Sequence, residues 1–265
     1  MGCATTKIEQ RASDILGRRT GAGSIRRRNV NAFFALWFCF ECVATADAVE
    51  GRFSLLAQQA FHQAQERYQK EPQNHEAAWQ FGRACFDLAE FSTNNAERAQ
   101  LAEIGIVASR NSVAQNSNSA AAHYYLAMDL GQLARTKSLG ALKLVRQMEH
   151  EFGLARDLDS HFDFAGPDRN LGLLYCDAPS IGSIGSRSKA REHLLRAVEL
   201  APDYPENHLN LLEAYLKWGE RTNALRELNA LETTLPAARA KLTGPAWASS
   251  WADWNPRREK AKKKL

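Results

Sequence analysis

The stretch that decides the fold is LGLLYCDAPSIGSIGSRSKAREHLLRAVELAP, residues 171–202. Its apolar and small residues recur every three or four positions, both before and after a linker rich in Gly and Ser, which is the pattern of two amphipathic helices. The residues at this spacing are Leu171, Gly172 and Tyr175 in the first helix and Ala190, Leu194 and Ala197 in the second. Pro202 then ends the second helix. The stretch therefore predicts one helical hairpin.

Three other segments of the chain match the first helix of this hairpin. The residues equivalent to Gly172 in them are Gly82, Ala127 and Leu212, so the four positions lie 45, 45 and 40 residues apart. A period of this size indicates stacked helical hairpins. A small residue at this position lets the paired helix approach closely, which Leu212 only partly allows. Because almost no strand-like alternation follows residue 52, we predict an all-α fold, an α-solenoid of hairpin repeats.

The basic net charge is confined to the two ends of the chain. The chain has 265 residues and a formal net charge of +4. The first 48 residues hold seven basic and four acidic residues and the last nine hold six and one, so the body between them has 21 basic and 25 acidic residues. This mildly acidic body argues against nucleic acid as a partner. The basic run from Arg257 is predicted to stay in solvent, with contact to anionic lipid as the alternative.

Residues 1–48 are predicted to be an N-terminal extension and signal peptide. Three arginines at 26–28 precede the apolar run 30–40, and Ala-Asp-Ala at 46–48 offers a cleavage site. The apolar run is too short for a transmembrane anchor, and Glu41 interrupts it. We therefore expect export to the periplasm or cell envelope.

Cysteine usage adds little to this expectation. A lipid anchor is not supported, because Phe and Glu precede Cys39 and Cys42, where a bacterial lipoprotein needs a small residue. Cys85 and Cys176 remain in the body of the chain. A disulfide between them and two separate buried thiols both stay open.

The remaining chain divides into two parts. Residues 49–243 are predicted to form the repeat domain, and residues 244–265 a Trp-rich C-terminal capping helix with a basic tail. Trp247, Trp251 and Trp254 fall at i, i+4 and i+7, on one face of a helix. Terminal repeats of a solenoid need such a cap. Docking of a partner on the three tryptophans is the alternative.

The hairpins resemble the tetratricopeptide repeat (TPR). Leu171, Gly172 and Tyr175 match the first helix of that repeat, and the spacing from Ala190 to Pro202 matches its second helix and terminating proline. The period exceeds the usual length of about 34 residues because the linkers are expanded. HEAT-like hairpins have nearly the observed period and remain the alternative.

Two segments, 162–179 and 189–207, resemble the T component associated with tripartite ATP-independent periplasmic (TRAP) transporters. The similarity covers most of residues 75–235, and Gly-Pro-Asp-Arg at 166–169 is its most specific part. The resemblance implies a TPR-like periplasmic protein that associates with the transporter's solute-binding protein and offers a pore or cleft for a ligand. Members are commonly lipoproteins, and this chain departs from them in that respect.

Ligand recognition is expected around Arg169 and the linker that follows it. Arg169 is suited to a carboxylate or to a structural ion pair. The linker 182–189 either holds an anion at the free amides of the next helix or is a flexible connection that Ser186 or Ser188 caps. Aromatic residues could line a cleft or belong to the core. The candidate ligand-binding residues are Phe164, Asp168, Arg169, Tyr175, Gly182 and Arg187.

No catalytic constellation is visible in the sequence. His75-Glu76 lacks the second His of a zinc-protease helix. The acidic alternation at 157–163 has Phe162 where an EF-hand needs Gly. We therefore expect no enzyme activity, no catalytic residue, no metal and no cofactor.

The sequence leads to one hypothesis and one alternative. The hypothesis is an exported, non-enzymatic TPR-like protein that binds a small ligand or a periplasmic solute-binding protein as an accessory component of a TRAP-type transporter. The alternative is a general cell-envelope scaffold for protein–protein interaction. Whether the chain forms a homo-oligomer stays open.

Overall fold

The computed structural model describes residues 36–137, 140–180 and 182–265, with side chains from residue 51 onward. This part of the chain folds into ten helices and contains no strand, which confirms the all-α prediction. The helices are α1 (Leu36–Lys70), α2 (His75–Ala89), α3 (Asn95–Gln115), α4 (Ala120–Ala134), α5 (Ala141–Leu158), α6 (Phe162–Asp177), α7 (Arg187–Leu200), α8 (Pro205–Lys217), α9 (Arg221–Lys241) and α10 (Pro245–Lys262).

Helices α2 to α9 form four hairpins, α2/α3, α4/α5, α6/α7 and α8/α9, which stack in chain order. The first helix of each hairpin contacts the first helix of the next, whereas the second helices of neighbouring hairpins make little or no contact. The helices are therefore closest on the side of the first helices, and the stack curves toward that side. We call this side, lined by α2, α4, α6 and α8, the first-helix face.

Glycines allow the two helices of a hairpin to approach each other closely. A Cβ atom added to Gly172 would lie 2.6 Å from Cγ of Leu194 on the paired helix. A Cβ added to Gly82 would lie 2.1 Å from Oγ of Ser109 and 3.3 Å from the carbonyl oxygen of Gly105. The prediction that these repeat positions need a small residue is confirmed.

Polar side chains begin four of the helices. Asn74, Asn94, Ser119 and Ser186 accept hydrogen bonds from free backbone amides at the N-termini of α2, α3, α4 and α7. The predicted cap at Ser186 is confirmed, since its hydroxyl accepts from the Lys189 amide at 3.4 Å. Each such cap stabilises a helix by about 1 kcal/mol.

Helix α1 packs on the first hairpin through Phe61, Ala64 and Tyr68. Residues 1–35 lie outside the described residues, so most of the predicted signal peptide falls there, and export stays a prediction. Among the described helices, none is long and apolar enough to cross a membrane.

Cys85 and Cys176 do not form a disulfide with each other. Cys85 is buried among Phe81 and Ala108 in the first hairpin, whereas Cys176 packs in the clusters of the later repeats. Burial raises the pKa of the Cys85 thiol, and the charge of Asp129 adds to the effect. Both cysteines therefore serve as packing residues.

Helix α10 covers the end of the stack. Trp247 and Trp254 are buried in a cluster that includes Leu231 of α9. Trp251 is half-buried, and its indole Nε1 donates to the carbonyl oxygen of Leu242 at 2.7 Å. The three tryptophans thus line the inner side of a capping helix. Partner docking on them stays a prediction.

The basic run does not extend freely into solvent, because α10 continues through it. Arg257 lies 2.6 Å from a carboxylate oxygen of Glu213 on α8, and its side chain is only 12% exposed. Arg258 and Lys262 lie 3.6 Å and 2.8 Å from Oε1 of Glu232 on α9. The expectation of a solvated run is therefore wrong for Arg257 and Arg258, which are largely covered against the last hairpin. Lys260, Lys262, Lys263 and Lys264 are exposed, as expected.

A buried histidine joins the two helices of the second hairpin. His123 on α4 places Nδ1 2.6 Å from a carboxylate oxygen of Glu151 on α5 and Nε2 3.0 Å from the carbonyl oxygen of Ser117. Both oxygens can only accept hydrogen bonds, so the ring satisfies both contacts only when both nitrogens carry a proton. The hydrogen bond to Glu151 is the largest influence on the pKa of His123 and raises it.

The fourth hairpin repeats the arrangement. His208 on α8 places Nδ1 2.5 Å from Glu227 on α9 and Nε2 2.7 Å from the carbonyl oxygen of Pro202. Burial lowers the pKa of His208, but the hydrogen bond to Glu227 and further contacts outweigh it, and the pKa is raised. Protonated histidines therefore act as staples within two of the four repeats.

We expect the two staples to weaken as the pH rises. A histidine whose folded pKa lies above the unfolded value of about 6.5 stabilises the fold fully below that pH, and the contribution is lost above the folded pKa. His123→Gln and His208→Gln should each cost roughly 1.5–3 kcal/mol at pH 6 and clearly less at pH 9. Urea unfolding at both pH values measures the difference, and an equal cost at both would contradict the charged staple.

Candidate functional site

The most unusual backbone among the described residues lies at the start of α6. Asp163, Phe164 and Ala165 have φ angles of 49°, 58° and 63°, in the left-handed region, although none is glycine. This conformation costs roughly 1–2 kcal/mol per residue. Such strain persists only where the surroundings hold it, and it gathers at functional sites. We call residues 162–165 the left-handed turn.

Arg169 holds the left-handed turn in place. Its guanidinium Nη1 donates to the carbonyl oxygens of Asp163 and Phe164, both at 3.1 Å. Nη2 donates to Oδ2 of Asp163 at 2.8 Å. The side chain of Arg169 has no solvent exposure. Its charge therefore satisfies backbone and carboxylate oxygens of the turn, which is a structural ion pair.

Side chains from the neighbouring first helices complete this network. Tyr124 on α4 donates its hydroxyl to Oδ2 of Asp163 at 2.8 Å. Asn207 on α8 donates to the carbonyl oxygen of Phe164 at 3.0 Å and accepts from Arg169 at 3.2 Å. The turn thus ties α4, α6 and α8 together. We call Tyr124, Asp163, Arg169 and Asn207 the arginine node.

A second buried acid lies beside the node. Burial raises the pKa of Glu206 to about 7, although the charges of Arg169 and Arg257 lower it. Burial alone would lower the pKa of Arg169, but neighbours that include Tyr124, Glu206 and Asp163 raise it overall. Arg169 therefore remains charged. Glu206 lies under the influence of two arginines, one on α6 and one on α10.

Aromatic rings extend along the first-helix face on both sides of the turn. Trp79 on α2 stacks on Tyr125 on α4, with centroids 5.7 Å apart and an interplanar angle of 3°. Phe162 meets Tyr125 edge-on at 6.2 Å. Phe164 stacks on Tyr204 at 4.4 Å and is 38% exposed. We call Trp79, Tyr125, Phe162 and Phe164 the aromatic ladder.

Two of the predicted ligand-binding residues face second helices instead. Asp168 is fully buried and lies 2.7 Å from Nδ1 of His193 on α7. Tyr175 donates its hydroxyl to Glu149 on α5 at 2.7 Å and stacks on His193. These contacts join α6 to its neighbours on the side away from the aromatic ladder.

Arg187, predicted to accompany an anion at the start of α7, pairs with a carboxylate of the chain itself. Arg187 pairs with Glu220 in the connection between α8 and α9, and its guanidinium lies 5.3 Å from the ring centre of Trp218. The pKa of Glu220 is lowered to about 2 by its hydrogen bonds to Arg191, Asn223 and Arg187. Gly182 lies in the preceding loop with φ 76°.

The structure therefore distributes the six candidate ligand residues over three places. Phe164 and Arg169 meet at the left-handed turn, Asp168 and Tyr175 meet at α7, and Gly182 and Arg187 belong to the loop and its ion pair. Ligand binding by them stays a prediction. Sequence reasoning placed Tyr124 only among the aromatic residues that could line a cleft or belong to the core. It quoted Asp163, Glu206 and Asn207 within the segments that resemble the T component and gave none of them a role in the site.

A pocket lies between α4 and α6. It has a volume of about 230 Å³ and is bounded by the C-terminal halves of these helices, by α5 behind them and by the loop after α6. Most of its lining is apolar, and Asn170 and Asp177 are the polar side chains among the lining residues. Of the six predicted ligand residues, none lines it, although the predicted loop reaches its mouth at Ala178 and Pro179.

Stacked helical hairpins of this kind define a repeat protein of the α-solenoid class. A crystal structure of a thermophilic TPR protein from Thermus thermophilus is similar, with a TM-score of 0.56 and 19% identity over 81% of this chain and 99% of that one. This likeness shows a TPR-like fold and favours the TPR interpretation over HEAT-like hairpins. MamA matches with a TM-score of 0.48 and 18% identity over 68% of this chain and 90% of its own.

Sequence comparison adds a partial family match. The family described as "RMD1-3: Regulator of microtubule dynamics protein 1-3" matches residues 42–155, from α1 into α5. No curated protein shows significant similarity to the chain.

We expect Arg169→Met to destabilise the fold by about 3–5 kcal/mol, because it leaves the buried Asp163 carboxylate without its positive partner and removes the Arg169 hydrogen bonds to two carbonyl groups. Arg187→Met is the matched control, since Arg187 is half-exposed and its loss should cost less than about 1 kcal/mol. Urea unfolding of both variants measures the contrast. A similar small cost for both would show that Arg169 is not the structural centre.

Proposed function

We propose that this chain is a non-enzymatic binding scaffold that recognises a protein partner on its first-helix face. The observation that carries the proposal is the aromatic ladder, in which Trp79, Phe162 and Phe164 keep ring surface accessible on the first helices. Aromatic side chains fixed in this way are suited to be the energetic centre of a protein interface. The TPR-like fold supports the same proposal, because stacked hairpins offer an extended concave surface.

Helix α2 also places an ion pair beside the aromatic ladder. Arg83 lies 3.5 Å from Asp87 and 5.8 Å from the ring centre of Tyr125. Burial raises the pKa of Asp87 to about 6, while Arg83 lowers it. A partner that covers the ladder therefore meets apolar rings beside an ion pair, an arrangement that favours specific binding over general apolar adhesion.

The more specific proposal is an exported accessory component of a TRAP-type transporter, with a periplasmic solute-binding protein as the partner. Support comes from the leader features of residues 26–48 and from the resemblance of residues 162–179 to the T component. The most specific part of that resemblance, 166–169, ends in Arg169, the centre of the node. A general cell-envelope scaffold is the second candidate, and the open aromatic ladder favours it equally.

The test compares two faces of the same molecule. Trp79→Ala and Phe164→Ala should each weaken partner binding at least tenfold. Truncating an aromatic residue at the centre of an interface commonly costs about 2 kcal/mol or more of binding free energy. Val107→Ala and Leu195→Ala are the controls, since these exposed residues lie on the second helices α3 and α7. The affinity of these two control variants for the partner should equal that of the unchanged protein.

The measurement is affinity of the purified chain for candidate envelope proteins, beginning with solute-binding proteins encoded beside a TRAP transporter. Binding of such a protein supports the transporter role, and binding of another envelope protein supports the general scaffold. Equal losses on both faces would contradict recognition by the first-helix face. Thermal unfolding of each variant checks that the fold is intact.

A further inference from the structure

The pocket between α4 and α6 results from how these two helices cross. Their N-terminal halves meet closely, since a Cβ atom on Gly166 would lie 2.8 Å from the hydroxyl oxygen of Tyr124. The pocket lies farther along, between their C-terminal halves, where Met128 and Gly131 of α4 face Leu173 and Leu174 of α6. Residues of α5 form its back.

The mouth of the pocket is built by the expanded linker after α6. The amide of Gly185 donates to the carbonyl oxygen of Pro179 at 3.1 Å, and the amide of Ser186 donates to that of Tyr175 at 3.0 Å. Lys217 donates to Oδ1 of Asp177 at 2.7 Å. These bonds fix Pro179 and Asp177, which both line the pocket. The opening is therefore largely preformed, as binding sites for small molecules usually are.

The chemistry of the lining restricts the ligand. The walls are made of carbon-rich side chains, which favour an apolar body. Asn170 donates its amide to the hydroxyl oxygen of Tyr124 at 2.8 Å and to the carbonyl oxygen of Gly166 at 3.1 Å. Both amide hydrogens are thereby used, so what Asn170 can offer a ligand is its oxygen, which only accepts.

The size of the pocket restricts the ligand further. A cavity of roughly 150 Å³ lined by apolar side chains is enough to hold benzene. The volume of about 230 Å³ here is larger than one ring needs and smaller than the pockets of drug-sized ligands, which begin at roughly 300 Å³.

We propose that this pocket binds a small apolar molecule of about two fused rings that carries one hydrogen-bond donor. The amide oxygen of Asn170 accepts the hydrogen bond from that donor. The site is separate from the aromatic ladder, because no ladder residue lines it. The inference therefore goes beyond the proposed partner binding and does not depend on it.

The methionines of the chain allow a direct test. The sequence has three, Met1, Met128 and Met148, and the last two line the pocket. In protein labelled with ¹³C at the methionine methyl groups, titration with indole should shift the signals of Met128 and Met148 and leave that of Met1 unchanged. Indene has the same shape but lacks the N–H donor, and it should bind about fivefold more weakly, although it is the more apolar molecule.

Two variants of α5 locate the binding. Val145 is half-buried and lines the pocket, so Val145→Trp should fill it and weaken indole binding at least tenfold. Leu142→Trp adds the same side chain at a position of α5 that is 39% exposed and does not line the pocket, so indole affinity should stay unchanged.

Three results would overturn the inference: unchanged Met128 and Met148 signals at millimolar indole, equal affinity for indole and indene, or full affinity in Val145→Trp. The first two are measured on the unchanged protein, so they decide the matter even if Val145→Trp does not fold. Loss of partner binding in Trp79→Ala with indole binding intact would separate the two sites.

Discussion

The buried guanidinium of Arg169 is the interaction on which the centre of this molecule depends. It stands at the one place in the described chain where three consecutive non-glycine residues have positive φ angles, and its donors satisfy the oxygens that this turn exposes. A charge removed from water is costly unless opposite charges and hydrogen bonds surround it. Asp163 supplies the opposite charge, while Tyr124 and Asn207 bring α4 and α8 to the same point. The node thus sets the spacing of three repeats at once.

The features proposed to bind partners and ligands follow from this constraint. The turn directs Phe162 toward Tyr125 on one side and Phe164 toward Tyr204 on the other, so it places two rungs of the aromatic ladder. It also holds Gly166 against Tyr124, which brings the N-terminal halves of α4 and α6 together and leaves the pocket between their C-terminal halves. One strained turn therefore shapes both surfaces, which agrees with the tendency of strain to gather at functional sites.

Much of the architecture could be predicted from the sequence because it depends on local patterns. Helical spacing, Gly82 and Gly172 at the helix contacts, and the cap at Ser186 are all readable along a single hairpin. The role of Arg169 was not readable in the same way. Its partners Tyr124 and Asn207 lie 45 and 38 residues away, and a single sequence does not distinguish an arginine that binds a ligand from one that is buried in an ion pair.

The left-handed turn was hidden for a related reason. Asp163, Phe164 and Ala165 contain no glycine that would mark positive φ angles, so nothing in their sequence separates them from an ordinary helix start. The composition of the C-terminal basic run is typical of a solvated tail, and it led to a wrong prediction for Arg257 and Arg258. Its helix is instead fixed by carboxylates of Glu213 and Glu232, which are remote in sequence.

The most direct test of the node is a double-mutant cycle between Tyr124→Phe and Asn207→Ala, measured by urea unfolding. These residues lie on α4 and α8, with α6 between them, and both contact the turn or its arginine. If the node works as one unit, the two losses should be coupled by about 1 kcal/mol or more. Losses that add within about 0.5 kcal/mol would show two independent contacts and contradict a shared centre.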